Sequence, residues 1–179
     1  IGQCGTEEIY WATSFFNACG GVQITASHNP INYNGMKIVK CNSEPLDPTS
    51  ELLKIKELVA NGNFKKKKRG LAVHSGENAR KNYVEKVSSF IDPRNIQELR
   101  VVVNGGNGAV GPTFDEVEKK IKSCGSVVDF IKVNHNPDSS FPNGIPNPLL
   151  PDRHPFMKEQ ILKSRAHLGV AFDGDFDRC

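Results

Sequence analysis

The chain contains no apolar run approaching the roughly 20 residues that a membrane helix needs. Its first residues, Ile1-Gly2-Gln3-Cys4-Gly5, lack a methionine and have neither the basic start nor the apolar core of a signal peptide. No two of the five cysteines, at 4, 19, 41, 124 and 179, stand at CxxC spacing. Their odd number and scattered placement argue against a zinc site or a disulfide framework. They fit reduced thiols and a cytoplasmic location. Neither sign of charge dominates: 23 Lys and Arg against 20 Asp and Glu leave +3, which does not imply a nucleic-acid partner. The one basic run, Lys65 to Arg69, has no interleaved aromatics and reads as solvated surface. There is no internal repeat and no Walker A loop. Cys179 directly follows a strand-like segment and a charged loop, so a fragment of a longer chain is expected.

What the 179 residues do contain is an alternation of strand-like and helix-like segments. Thr6 to Cys19 reads as a helix with a bulky stripe of Ile9, Thr13, Phe15 and Phe16, ended by Gly20-Gly21. Gly21 to Thr25 and Met36 to Val39 read as strands. Pro48 to Ala60 has apolar residues at helical spacing, with Asp47 as cap and Asn61-Gly62 as stop. Asn78 to Phe90 is a further helix. Asp92-Pro93 marks the expected boundary between a first domain, residues 1–92, and a second, residues 93–179. In the second, Leu99 to Val103, Ser126 to Val133 and Leu168 to Phe172 read as strands, and Thr113 to Ser123 and His154 to Ala166 as helices. The alternation predicts an α/β fold with mixed or mostly parallel sheets, whose ligand sites lie beyond the carboxyl ends of strands.

Two stretches carry chemistry. Thr25-Ala26-Ser27-His28-Asn29-Pro30 is a small polar loop between two strands, with an accessible hydroxyl beside an imidazole. Ala171-Phe172-Asp173-Gly174-Asp175-Phe176-Asp177-Arg178 offers three carboxylates at alternate positions. On a straight strand such side chains lie about 6.6 Å apart, too far for one small ion. The segment must curl, and Gly174 is expected to permit the backbone that this requires. Oxygen-only ligation favours Mg2+, with open positions for water or phosphate. The EF-hand pattern fails, because no glycine follows the third aspartate. A phosphorylated Ser27 would need such a cation nearby. Lys37, at the start of the returning strand, suits phosphate neutralisation, or acid–base work if its pKa is lowered. Arg178 suits phosphate orientation or a salt bridge to Asp177. Asn104-Gly105-Gly106-Asn107-Gly108 is a βα turn of phosphate-cradling type, though such turns are more often structural. A long loop from His135 to Pro148 has four prolines in its last twelve residues and is expected to shape a cleft.

Gly21 to Lys40 (GVQITASHNPINYNGMKIVK), Phe141 to Pro151 (FPNGIPNPLLP) and Gly169 to Cys179 (GVAFDGDFDRC) together resemble the α-D-phosphohexomutase superfamily, and within it the bacterial phosphomannomutase branch. The resemblance implies that Ser27 is the phosphoserine, flanked by His28 and Asn29. It further implies that Asp173, Asp175 and Asp177 bind Mg2+ together with Ser27, that Arg178 binds phosphate and that Lys37 lies near the reacting hydroxyl. The implied activity interconverts mannose 6-phosphate and mannose 1-phosphate through a hexose 1,6-bisphosphate. Phosphoglucomutase or a dual-specificity enzyme is the alternative, and a non-catalytic phosphosugar- or metal-binding module is the alternative of another class. Hexose phosphates are the expected partners, with no nucleic acid and no membrane. Family enzymes have four domains, and this chain matches most of the first and much of the second. The resemblance therefore implies that the fragment alone does not turn over. Ser27 and the aspartates belong to different domains, which predicts a cleft with Ser27 on one wall and the carboxylates on the other.

Overall fold

The computed structural model describes residues 1–62 and 76–179. The basic run at 65–69 lies outside the described residues. The first helix, α1 (Thr6–Phe15), is shorter than its pattern suggested. Asn17 takes a left-handed conformation, φ 51°, which asparagine tolerates better than most residues, and this turns the chain out of the helix. Gly20 and Gly21 therefore do not end α1 but open strand β1 (Gly20–Ile24). A side chain on Gly21 would collide with Thr13 of α1, so the glycine lets strand and helix touch. The buried face of α1 consists of Thr6, Glu8, Ala12 and Thr13. Phe15 and Phe16, expected within the stripe, are exposed. Trp11 stacks on Phe15 and meets Tyr83 edge-on.

Strand β1 pairs antiparallel with β2 (Met36–Lys40), in a register running from Gly20 opposite Lys40 to Ile24 opposite Met36. The Ser27 stretch is the connection of this hairpin. Helix α2 (Glu51–Asn61) starts three residues after Pro48, because Asp47 first organises a turn. The Asp47 carboxylate accepts from the N–H and hydroxyl of Thr49 and of Ser50, at 2.7–2.9 Å. Gly62, at φ 59°, closes the helix. Leu52, Leu53, Leu58 and Val59 of α2 remain exposed.

The remaining elements are α3 (Gly76–Ser88), β3 (Arg100–Asn104), α4 (Val110–Ser123), β4 (Asp129–Val133), α5 (His154–Ser164) and β5 (Leu168–Ala171). The three strands form a parallel sheet of order β4-β3-β5. Strand β4 lacks the first residues of its predicted span, because Val128 N–H donates to the Ser126 hydroxyl in a local turn. The run Val101-Val102-Val103 is buried throughout because both faces of β3 are covered. Val101 and Val103 pack with Phe114 of α4, Phe130 and Val170. On the other face, Met157 and Ile161 of α5 lie over Gly169, the partner of Val102. Burial of each valine contributes about 1.5–3 kcal/mol. The chain leaves β3 for one neighbour and later reaches the opposite one, so the carboxyl end of β3 is a topological switch point, where α/β sheets place ligands.

The hairpin unit docks on the parallel sheet through its helices. Glu8 of α1 is 2% exposed, and the Thr113 hydroxyl of α4 donates to its carboxylate. Arg80 Nε of α3 lies 3.9 Å away. Burial raises the Glu8 pKa, and the Thr113 and Arg80 groups offset only part of that effect. Among the described residues no helix is long and apolar enough to cross a membrane. All five cysteines are unpaired thiols.

The Asp47 carboxyl is held down at about 2, chiefly by the Thr49 and Ser50 hydroxyls. A depressed folded-state pKa contributes stability that is complete above the ordinary carboxylate range and is lost as pH falls through about 2. Asp47→Ala is therefore expected to weaken amide-exchange protection at the start of α2 at pH 7, with the difference from wild type shrinking between pH 4 and pH 2. Equal protection at pH 7 would contradict the cap.

Candidate functional site

The hairpin loop begins at Thr25, whose N–H donates to Gly35 O at 3.0 Å, and whose hydroxyl oxygen accepts from Ser27 N–H at 2.8 Å. That local turn holds Ser27 at φ 53°, a left-handed conformation that costs a serine about 1 kcal/mol or more. Ser27 is thereby aimed away from its own strands and toward the loop that follows β5.

That second loop curls as the carboxylate spacing required, but by another means than expected. Asp173 N–H donates to Arg178 O, and Phe176 N–H donates to Asp173 O, both at 3.2 Å. The left-handed residue of the loop is Phe176, at φ 47°, and Gly174 is not among the positive-φ glycines. Gly174 is needed for space instead. A Cβ there would stand 2.6 Å from the Ser27 carbonyl oxygen. On its other side, a Cβ on Gly108 would stand 2.6 Å from Gly174 O, and Ala109 N–H donates to that oxygen at 2.9 Å. The glycine-rich turn after β3 thus braces the aspartate loop. Pro146 of the proline-rich loop fills the space over Gly106 and contacts the same region.

The result brings together groups far apart in sequence. Ser27 Oγ donates to Asp173 Oδ2 at 3.0 Å across 146 positions. It also lies 3.3 Å from His28 Nδ1. Arg178 Nη1 donates to the same His28 nitrogen at 3.0 Å, so this nitrogen acts as an acceptor. Arg178 N–H donates to Asp173 Oδ1 at 3.3 Å, and its Nε lies 3.9 Å from Asp177 Oδ1. Lys37 Nζ donates to Asp175 Oδ2 at 2.8 Å and to Asp177 Oδ2 at 2.6 Å. Asn29 stands apart: it is exposed, and its side-chain amide donates to Ala26 O within the loop.

Three carboxylates here have one ligand atom each within 4.8 Å of one another. Asp173 is 0% exposed and Asp175 2%. Burial, followed by the neighbouring Asp175, raises the pKa of Asp173. Burial also opposes the charge on Asp175, but hydrogen bonds from Lys37 and Thr6 outweigh it and hold that carboxyl low. Lys37 behaves in the reverse way to the acid–base expectation. Burial would lower its pKa, yet the hydrogen bonds to Asp175 and Asp177 raise it. The ammonium therefore stays charged in this arrangement. Asp175 Oδ1 and Asp177 Oδ1 are buried with no hydrogen-bond partner. Two orphaned carboxylate oxygens in an all-oxygen donor set fit a hard divalent cation such as Mg2+.

Sequence reading missed the groups that support this cluster. Thr6 reads only as a helix start, yet its hydroxyl donates to Asp175 Oδ2. Thr25 reads as the end of a strand, yet its hydroxyl fixes Ser27 and helps hold the Asp175 carboxyl low. Only the tertiary fold brings residues 6 and 175 together, and no local pattern announces it.

The family description "Phosphoglucomutase/phosphomannomutase, alpha/beta/alpha domain I" matches residues 1–66, and the corresponding domain II matches residues 81–179. A phosphomannomutase of Escherichia coli strain K12 is 43% identical over 182 residues, covering 100% of this chain and 40% of that protein. A protein of Xanthomonas campestris pv. campestris described as "Phosphohexose mutases" is 40% identical over 179 residues, again with 100% of this chain and 39% of its own length. The chain thus spans about 40% of the length of such relatives. The crystal structure of a phosphoglucomutase/phosphomannomutase family protein from Burkholderia thailandensis superposes with a TM-score of 0.77 at 25% identity, covering 96% of this chain and 37% of that one.

The close approach at Gly174 generates a test. Gly174→Ala places a methyl group against the Ser27 carbonyl and is expected to part the two loops. Destabilisation of about 1–3 kcal/mol is expected, measurable by urea unfolding. Loosening of Ser27 should be visible as a changed His28 environment by NMR. A Gly174→Ala chain with wild-type stability and an unchanged His28 signal would show that the loops are not in contact.

Proposed function

Because this chain belongs to the phosphoglucomutase/phosphomannomutase family, we propose that the protein interconverts the 6-phosphate and 1-phosphate of a hexose, with mannose the preferred sugar. Phosphorylated Ser27 transfers its phosphoryl group to the free hydroxyl of the bound sugar phosphate: the bond from Ser27 Oγ to phosphorus breaks, and the proton of the sugar hydroxyl passes, in net, to Ser27 Oγ. A hexose 1,6-bisphosphate forms, reorients and returns its other phosphoryl group to Ser27. The observation that carries this reading is the 3.0 Å hydrogen bond from Ser27 Oγ to Asp173 Oδ2, between two loops of different units. It gives the returning hydroxyl a proton acceptor already in place as Oγ approaches phosphorus. Arg178 and His28 flank Oγ: the Arg178 guanidinium serves as donor to the phosphoryl oxygens, and His28 Nδ1, which accepts from it, holds the guanidinium in place. Lys37, kept charged by its two carboxylate partners, supplies positive charge on the same side. The positioned array contributes by holding the reacting atoms in line.

Asp173, Asp175, Asp177 and Ser27 would hold a Mg2+ ion, which when bound stabilises negative charge on the transferring phosphoryl group. Asn29, exposed and bonded within its own loop, acts on the loop's shape more than on phosphate. The two units are taken as residues 1–92 and 93–179, joined at Asp92-Pro93, where Asp92 caps a short turn. The location is taken as cytoplasmic, and the 179 residues alone are taken as inactive. Glucose phosphates are the second reading for the sugar, since one relative carries the broader description of a phosphohexose mutase.

The test uses the full-length protein. Incubation with hexose 1,6-bisphosphate and Mg2+ is expected to add one phosphoryl group, located on the Ser27 peptide by mass spectrometry. Ser27→Ala is expected to remove both that group and mutase activity by at least about 100-fold. A Ser27 that never gains phosphate, in a protein that still binds hexose phosphate, would replace the mutase with a non-catalytic binding module. Competition between mannose and glucose 1-phosphate decides the sugar.

A further inference from the structure

Helix α1 does more than support the hairpin. It opens at Gly5 with no side-chain cap of its own, so its first N–H groups need acceptors from elsewhere. Thr6 N–H donates to Asp175 O at 3.1 Å, and Thr6 Oγ1 donates to Asp175 Oδ2 at 2.8 Å. Thr6 is 0% exposed, so water does not compete for either bond. Gly5 has no room for a side chain, because the Phe176 ring lies where a Cβ would stand. The helix start and the aspartate loop are therefore fitted to each other over residues 5–6 and 175–176.

The consequence lies in which oxygen of Asp175 is occupied. Thr6 and Lys37 both donate to Oδ2. Oδ1 is buried and has no partner. The threonine hydroxyl thus restrains the rotation of the carboxylate and leaves Oδ1 without a protein partner, in the cluster that Asp175 forms with Asp173 and Asp177. A lysine alone does not fix it, because Nζ is shared with Asp177 and sits on a flexible stem.

We infer that Thr6 is a positioning residue for the cation site: it orients Asp175 from the opposite unit and couples cation binding to the docking of α1 on the aspartate loop. This rests on the reading of the three aspartates as a cation site. Groups that orient ligands in this way typically change metal affinity 10–100-fold when removed. Helix α1 is also the element through which Glu8 reaches Thr113, so a cation held by Asp175 tightens the whole contact between the units.

The experiment compares wild type, Thr6→Val and Thr6→Ser in the full-length protein. Mg2+ and Mn2+ affinities are measured by calorimetry, and amide exchange of residues 173–178 is measured without metal. Thr6→Val, which keeps the shape and loses the hydroxyl, is expected to weaken Mg2+ binding about 10-fold or more and to speed exchange in the loop. Thr6→Ser keeps the hydroxyl and is expected to restore both to within about threefold of wild type, where a merely structural role would leave the loss of the methyl uncorrected. Wild-type affinity and exchange in Thr6→Val would overturn the assignment while leaving the cation site intact. A Thr6→Ser chain as impaired as Thr6→Val would overturn it as well. No Mg2+ binding by wild type would overturn the cation reading itself and this inference with it.

Discussion

Everything near the site depends on gathering three carboxylates within a few ångströms at the end of one strand. Such a cluster is electrostatically costly, and the cost rises because Asp173 and Asp175 are almost wholly buried. The aspartate loop offsets little of this charge from its own residues: Arg178 N–H donates to Asp173 at 3.3 Å, and its guanidinium reaches Asp177 only at 3.9 Å. The compensation comes from the other unit: an ammonium from β2, a hydroxyl from the start of α1, and the Ser27 hydroxyl from the hairpin loop. Docking of the two units and assembly of the cluster are therefore one event. The buried Glu8–Thr113 pair lies along the same contact, so polar groups occupy much of a boundary where apolar packing would have been simpler.

Glycine and proline set the distances in this arrangement. Gly108, Gly174 and the Ser27 carbonyl form a stack in which neither glycine has room for a side chain. Pro146 closes the stack from the side of the proline-rich loop. The glycine-rich turn after β3 looks, as a string of letters, like a phosphate cradle. In the folded chain its N–H at residue 109 and its bare Cα at residue 108 are spent on the aspartate loop.

Much of this was legible beforehand. Residue patterning located every strand and α-helix of the described residues to within a few positions, though not the short 3-10 turns, and β3 was visible as three consecutive valines because both its faces are covered. Boundaries moved where a side chain intervened locally, as with Asn17 at the end of α1 and Ser126 before β4. Ser27, His28, Lys37, Arg178 and the three aspartates stood out because their residue types are chemically expressive and their spacing was unusual. Thr6, Thr25 and Gly108 did not, since each fills an ordinary local role as helix start, strand end or turn. Their second role arises only from long-range packing, which local spacing does not encode. The stripe on α1 misled for a related reason. Its aromatic residues face outward, while two threonines and a glutamate take the inner face to serve the polar boundary.

The left-handed backbone at Ser27 sets two demands on one position against each other. Glycine occupies that region of conformational space freely, and serine does not. The loop would thus be more comfortable with a glycine there, which carries no hydroxyl to reach Asp173. Backbone comfort and the contact between the two loops therefore pull in opposite directions at a single residue.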